Sequence, residues 1–126
     1  MTALASLVNH QIRLAARPVG SPKDTDWQFT EEAVAGPDDG GVLVKTLVLS
    51  LDPAMRGWMN EGKSYIAPVE IGAVMRAGGI GVVVASKNPA FKVGDHVSAG
   101  VGVQEFATFA ADQIKRAARS AEDALP

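Results

Sequence analysis

The chain contains no cysteine. That absence excludes disulfide bonds, a thiol nucleophile and thiolate metal ligands. The two histidines are His10 and His96. They fall in separate predicted strands without a nearby carboxylate pattern, so we expect no metal site. Ser64 and Ser98 lack a histidine and an acid at any recognisable spacing, which removes the case for a serine hydrolase.

The sequence also lacks clusters of like charge and long apolar segments. The 14 acidic and 12 basic residues are interspersed and give a net charge of -2, so we expect no nucleic-acid partner. The longest uncharged stretches, such as 78–86, fall short of the ~20 residues that a membrane helix needs. Residues 1–9 lack the features of a secretory signal, and the cytoplasm is therefore the expected location.

What is present suits one folded domain. A length of 126 residues, with 47% hydrophobic and 21% charged residues, leaves room for a single core. We expect an N-terminal extension over 1–9, a domain over 10–114 and a tail over 115–126. The Ala-rich, charged stretch from Ala111 onward predicts a loosely held C-terminal helical segment.

Apolar periodicity predicts a mainly β fold. Residues 10–17 and 27–32 alternate with the period of half-buried strands, and the Gly/Pro/Asp-rich stretch 36–41 predicts a turn that joins two strands. The nearly continuous apolar run 42–51 is typical of a strand buried on both faces, at the centre of the core. Residues 104–110 alternate again, and the total is six to eight short strands in a barrel with irregular edges.

A helix start follows the central strand. Asp52 can accept hydrogen bonds from the free amides of a turn, and Pro53 suits the first helical position because it has no amide to leave unpaired. A short helix is therefore predicted over 53–60. For Arg56 two interpretations stay open: a charged anchor in an apolar pocket beside Met55 and Trp58, or an ion pair with Asp52 or Glu61.

Two glycine motifs are structural in this interpretation. Gly78-Gly79-Ile80-Gly81 continues into a run of valines rather than a helix, so it predicts a bent or closely approached strand and not a phosphate-binding loop. In Lys92-Val93-Gly94-Asp95-His96-Val97, glycine permits a positive φ and the aspartate holds the turn amides before a strand over 96–98.

The sequence Asp52-Pro53-Ala54-Met55-Arg56-Gly57, together with the Gly94-Asp95 turn, resembles a known family over about 11–114. It is similar to the N-terminal, GroES-like half of the zinc-independent medium-chain dehydrogenases/reductases. The likeness is strongest to the leukotriene/prostaglandin reductase and enone reductase branch. The resemblance implies a GroES-like, partly open β-barrel with one short internal helix. It also implies reduction of the C=C bond of α,β-unsaturated ketones or aldehydes by NADPH.

The resemblance further implies which positions face the cleft, although it assigns no catalytic residue. The nicotinamide would lie near Pro53 and Ala54. The substrate would meet Met55, Tyr65, Ala99, Gly100 and Val103. Two positions depart from the family pattern, since Ala54 stands where tyrosine is commoner and Val103 where tryptophan is usual, so the pocket is expected to be wider.

The family continues into a Rossmann nucleotide-binding domain that is absent from these 126 residues. We therefore expect a truncated reductase domain that is inactive by itself and binds NADPH weakly or not at all. The alternative is a free-standing GroES-like module that binds a small apolar ligand or a partner protein. In both cases the surface that would face the second domain is expected to favour homo-oligomers.

Overall fold

A computed structural model of the chain describes residues 7–60 and 67–114. Six strands carry the fold: β1 (Val8–Leu14), β2 (Trp27–Ala33), β3 (Val42–Leu49), β4 (Gly79–Ser86), β5 (His96–Ala99) and β6 (Phe106–Phe109). The helices are short, α1 (Ala54–Trp58) and α2 (Ala111–Ile114), and a single 3-10 turn spans Asp24–Asp26. The mainly β prediction is confirmed. Neither helix in these ranges has the length and apolar character that a membrane crossing requires.

The strands form two sheets that do not close into a barrel. β1 and β2 make an antiparallel pair, and the other sheet has the order β5-β4-β3-β6. Backbone bonds from Ile12 N to Val103 O (3.0 Å) and from Glu105 N to His10 O (3.1 Å) connect the two sheets through the stretch before β6. The result is the partly open barrel that the family resemblance implied.

The turn over 36–41 connects different sheets. It joins two strands, β2 and β3, as we expected, yet β2 pairs with β1 whereas β3 pairs with β4 and β6. The stretch is six residues of glycine, proline and aspartate, long enough to carry the chain from one sheet to the other. The turn prediction therefore places the strand ends correctly but does not give the pairing.

The prediction that 42–51 is buried on both faces is correct only for its first half. Val42, Leu43 and Val44 are fully buried, whereas Leu47 and Val48 are 51% and 56% exposed. The pairing with β4 shifts register between Leu43 and Val44 and again between Thr46 and Val48. After Val44 the strand leaves the core, and its second half borders an open groove.

Two apolar clusters stabilise the domain. The sheet core is formed by buried side chains of β3 to β6, their connections and α2: Val42, Val44, Val83, Phe91, Val97, Val101, Ala107 and Ile114. The pocket-side core consists of Leu14, Met59, Val69 and Met75. Ile114 fixes the first turn of the C-terminal helical segment to the sheet core, and residues 115–126 lie outside the described part of the chain.

The glycine motifs have the predicted structural roles. Gly79 and Gly81 lie within β4, where a Cβ on Gly79 would come 2.3 Å from the carbonyl oxygen of Val48. Gly94 has φ +98°, and the Asp95 carboxylate accepts a hydrogen bond from Lys92 N at 2.9 Å. Both motifs serve close packing and tight turning.

Candidate functional site

An apolar pocket of about 210 Å³ opens between β1, β2 and the start of α1. Its lining comes from five separate stretches of the chain and contains no charged side chain: Ile12, Trp27, Phe29, Leu51, Met55, Met75 and Val103. Met75 also belongs to the pocket-side core, so the floor of the pocket is the core itself. The pocket can hold a small apolar group out of water.

The local sequence around Asp52 positions Met55 at this pocket. Asp52 accepts a hydrogen bond from Ala54 N on its side chain (2.8 Å) and from Met55 N on its backbone carbonyl (2.9 Å). These bonds satisfy amides that a helix start would otherwise leave free. The prediction that Asp52 accepts hydrogen bonds from amides of the following turn is confirmed, whereas Pro53 occupies the N-cap of α1 and not its first helical position.

Val103 reaches the pocket from the opposite side. Gly102 before it adopts φ +76°, a conformation that favours glycine. Val103 then forms backbone hydrogen bonds to two neighbours, from Val103 N to Met75 O (2.9 Å) and from Ile12 N to Val103 O (3.0 Å). The positive φ and the two bonds fix this side chain against the pocket.

Two arginines tie α1 to the loop after β1. Arg56 donates to Pro18 O (3.1 Å), to Gly20 O (2.9 and 3.1 Å) and to Asn60 Oδ1 (2.6 Å). In the opposite direction Arg17 donates to Met59 O at 2.7 Å. Arg56 therefore has a structural role. Its partners are backbone carbonyls and the side-chain amide of Asn60, and not Asp52, which we considered as an ion-pair partner. Glu61, the other carboxylate that we considered, lies outside the described residues. This arginine clamp fixes the helix that carries Met55.

A larger groove of about 580 Å³ adjoins the apolar pocket, and we call it the polar groove because hydrogen-bonding side chains line it, although most of its exposed surface is apolar. The two cavities share Ile12, Phe29 and Val103 in their linings. Leu47 and Leu49 of β3 line part of the groove. The rest of its lining consists of side chains that can form hydrogen bonds: His10, Gln11, Thr30, Thr46, Gln104 and Glu105. The site as a whole therefore has an apolar end and a polar end.

His10 forms a bridge between the two sheets at the polar end. Its Nδ1 contacts Glu105 Oε1, and its Nε2 lies 3.1 Å from Glu31 Oε2. The hydrogen bond and the charge of Glu105 raise the pKa of His10, and the bonds from the His10 side chain and amide lower the pKa of Glu105. Our expectation that the histidines lack nearby carboxylates is wrong for His10, because Glu31 lies in β2 and Glu105 in the stretch before β6, both distant from His10 in the sequence.

Thr46 differs from the other polar residues of the groove. Thr30 Oγ1 donates to Gln11 Oε1 and accepts from Arg13 Nε, both at 3.1 Å. Thr46 Oγ1, by contrast, is buried and has no hydrogen-bond partner within the part of the chain that the structure describes. An unpaired buried hydroxyl is costly, so this group is a candidate for contact with a ligand.

The structure brings together two of the predicted substrate residues, Met55 and Val103. Ala99 packs beside the sheet core and Gly100 is exposed, and neither lines the apolar pocket. Tyr65 lies outside the described residues. The polar groove was missed, because its side chains come from positions that only the folded sheets bring together.

Pro53 and Ala54 are exposed at the start of α1, beside pocket residues Leu51 and Met55. Both side chains are small and uncharged, and their contact with the nicotinamide stays a prediction. Arg56, the basic residue of α1, has its donors engaged by Pro18, Gly20 and Asn60, so this turn offers no cation for the cofactor's phosphates. The described residues also contain no group of three or more His, Asp or Glu side chains that could hold a metal ion.

Exposed apolar side chains surround the entrance to both cavities. Phe29 is 77% exposed, Leu51 83% and Leu47 51%. Phe29 and Leu51 line the apolar pocket, and Phe29 and Leu47 line the groove. Such a cluster is typical of a surface that meets a ligand or another domain.

Known proteins resemble both the sequence and the fold. NADPH-dependent curcumin reductase of Escherichia coli is 41% identical over 106 residues, which are 84% of this chain and 31% of that protein. The NADP(+)-dependent 2-alkenal reductase of Nicotiana tabacum is 33% identical over 105 residues, 78% of this chain and 30% of that protein. The chain thus spans about a third of the length of these curated relatives.

Solved structures agree with the sequence relatives. The crystal structure of CurA from Vibrio vulnificus matches with a TM-score of 0.78 and 42% identity, over 80% of this chain and 30% of that one. CurA in complex with NADPH matches with a TM-score of 0.76. A family described as the N-terminal domain of oxidoreductase matches residues 10–117. The chain therefore belongs to this family, which confirms the predicted membership of the enone reductase branch of the zinc-independent medium-chain dehydrogenases/reductases.

Proposed function

We propose that this chain is the substrate-side part of an NADPH-dependent reductase that acts on the C=C bond of α,β-unsaturated ketones or aldehydes. The observation that carries the proposal is the apolar pocket in which Met55 and Val103 meet. Both positions are those that the family resemblance assigns to substrate. Two relatives, a curcumin reductase and a 2-alkenal reductase, support the same class of reaction.

The chain's own residues would bind and orient the substrate. Met55, Met75 and Val103 enclose its apolar part and exclude water, and the arginine clamp holds α1 in place. Pro53 and Ala54 would leave an uncharged surface for the nicotinamide, whose phosphates must be held elsewhere. Ala99, Gly100 and Tyr65 remain proposed substrate contacts on the family resemblance alone.

The proposed reaction balances with NADPH as the hydride donor and solvent as the proton donor. Bound NADPH would supply the hydride for the β-carbon. The C=C electron pair would shift toward the carbonyl oxygen, and a proton taken up from solvent at the α-carbon would complete the saturated product. For this step the apolar pocket contributes orientation and the exclusion of water.

A chimera tests the proposal. This chain replaces the matching third of Escherichia coli curcumin reductase, and NADPH oxidation is followed with an enone substrate. We expect turnover in the chimera and none in the 126-residue chain alone, which we also expect to bind NADPH weakly and to be cytoplasmic. In the chimera, Met55→Gln should raise KM for the enone several-fold and leave KM for NADPH unchanged. A folded chimera that reduces no enone would overturn the proposal.

Exposed Phe29, Leu47 and Leu51 favour a second candidate, a free-standing module that binds an apolar ligand or a partner protein. Sedimentation of the chain at several concentrations separates the two candidates. A dedicated module should give one defined oligomer, whereas a reductase part should give a mixture that shifts with concentration.

A further inference from the structure

We propose that the polar groove and the apolar pocket are one ligand site, which takes an elongated, uncharged molecule ending in a hydroxyl group. The inference rests on the proposed function, because the apolar pocket would hold the unsaturated part. The groove would then hold the far end of the same molecule. It adds to that function a preference for hydroxyl ends over carboxylate ends.

Shared walls and size support a single site. Ile12, Phe29 and Val103 line both cavities, so the cavities are adjacent and a ligand that extends past these three residues can occupy both. Binding sites for small molecules usually enclose ~300–1,000 Å³. The apolar pocket, at about 210 Å³, is below that range and suits one end of a ligand, whereas the groove of about 580 Å³ has room for the rest.

The charges around the groove disfavour a carboxylate. His10 is the cationic group among the lining residues, and its two ring nitrogens face Glu105 and Glu31. Lys45, on β3, acts on the same Glu105 carboxylate. A ligand carboxylate would therefore meet a carboxylate of the protein and no unengaged cation in the described lining, whereas a hydroxyl can donate to Glu105.

Thr46 supplies the second partner for a hydroxyl. Its side chain lines the groove, and its Oγ1 is buried without a partner among the described residues. For this contact, a rotation about χ1 to another staggered position would have to turn the oxygen toward the groove. Because the hydroxyl is already removed from water, a bond to a ligand is gained without a further loss of hydration.

Three matched ligands test the inference by two-dimensional NMR of the 126-residue chain. All are ten-carbon methyl enones, and they end in a methyl group, a hydroxyl or a carboxylate. Dissociation constants come from shifts of the Met55 and Val103 methyl groups, and the Thr46 and Thr30 methyl groups report on the groove. We expect the hydroxyl ligand to bind about fivefold more tightly than the methyl ligand and the carboxylate to bind most weakly.

Thr46→Val removes the hydroxyl and keeps the shape of the side chain. It should reduce the preference for the hydroxyl ligand, since only the Glu105 partner remains, and leave binding of the methyl ligand unchanged. Thr30→Val, in the same groove, is the matched control, since that hydroxyl is already paired with Gln11, and it should retain the preference.

The outcomes separate this inference from the proposed function. If the methyl ligand shifts Met55 and Val103 but the hydroxyl or Thr46→Val makes no difference, the groove inference fails and the proposed function stands. Tightest binding by the carboxylate ligand also overturns the inference. If no ligand shifts the pocket methyl groups, both fail.

Discussion

Gly81 of β4 lies so close to Val44 of β3 that a Cβ on the glycine would be 2.3 Å from Val44 Cγ1. The same Cβ would be 2.6 Å from the carbonyl oxygen of Lys45, and a backbone atom cannot move aside as a side chain can. Gly81→Ala should therefore lower the free energy of unfolding by about 1–3 kcal/mol, measured by urea denaturation.

Gly78→Ala is the control for this prediction. A Cβ on Gly78 would meet nothing within 4 Å. Alanine there should leave stability unchanged or raise it slightly, because it restricts the unfolded chain. Equal effects of the two substitutions would contradict the close approach of β3 and β4.

Thr46→Val should raise the free energy of unfolding of the free chain by about 1 kcal/mol. The substitution removes a buried hydroxyl that lacks a partner in the described residues and preserves the branched shape. Thr30→Val should do the opposite, because its hydroxyl bonds Gln11 and Arg13. Denaturation of both variants in urea checks the prediction, and a loss of stability in Thr46→Val would show that its hydroxyl is satisfied.

The contact between His10 and Glu105 predicts a pH window of maximal stability. The pKa of His10 is raised from 6.5, so its contribution is complete below pH 6.5 and is lost as pH rises through the higher folded value. The pKa of Glu105 is lowered from 4.5, so its contribution is complete above pH 4.5 and is lost as pH falls through the lower folded value. The pair should stabilise most between these two pH values.

NMR titration of the His10 ring measures this effect directly. Glu105→Gln should return the pKa of His10 most of the way to its ordinary value, because Glu105 is the largest cause of the shift. Glu31→Gln should change the pKa less. If both variants leave the titration of His10 unchanged, the contact is absent in solution.

The parts of the fold that sequence predicts well depend on local chemistry. Asp52 and Pro53 specify a helix start within four residues, and the Gly94-Asp95 turn fixes its own geometry through a positive φ and a side-chain acceptor. Pairing between strands is a different matter. β2 and β3 are neighbours in sequence but lie in separate sheets, because the burial of the whole apolar surface decides which edges meet.

The two halves of the site differ in the same way. Met55 follows a recognisable motif and Val103 lies in a family segment, so the apolar pocket was predictable from the resemblance. The polar groove depends on His10 meeting Glu105, a contact across 95 positions of sequence. No periodicity within one segment carries that information, so only the three-dimensional arrangement reveals it.

Arg56→Lys should lower the free energy of unfolding by about 1–2 kcal/mol and loosen α1. A lysine offers one compact ammonium in place of the planar fork that reaches Pro18, Gly20 and Asn60, so most of these bonds are lost. Arg17→Lys is the matched control, because Arg17 makes a single bond to Met59 O that one ammonium can replace, and its effect should be small. Urea denaturation gives the stabilities, and hydrogen exchange at Met59 N and Asn60 N reports on the helix end. Faster exchange in Arg17→Lys than in Arg56→Lys would contradict the assignment of the clamp to Arg56.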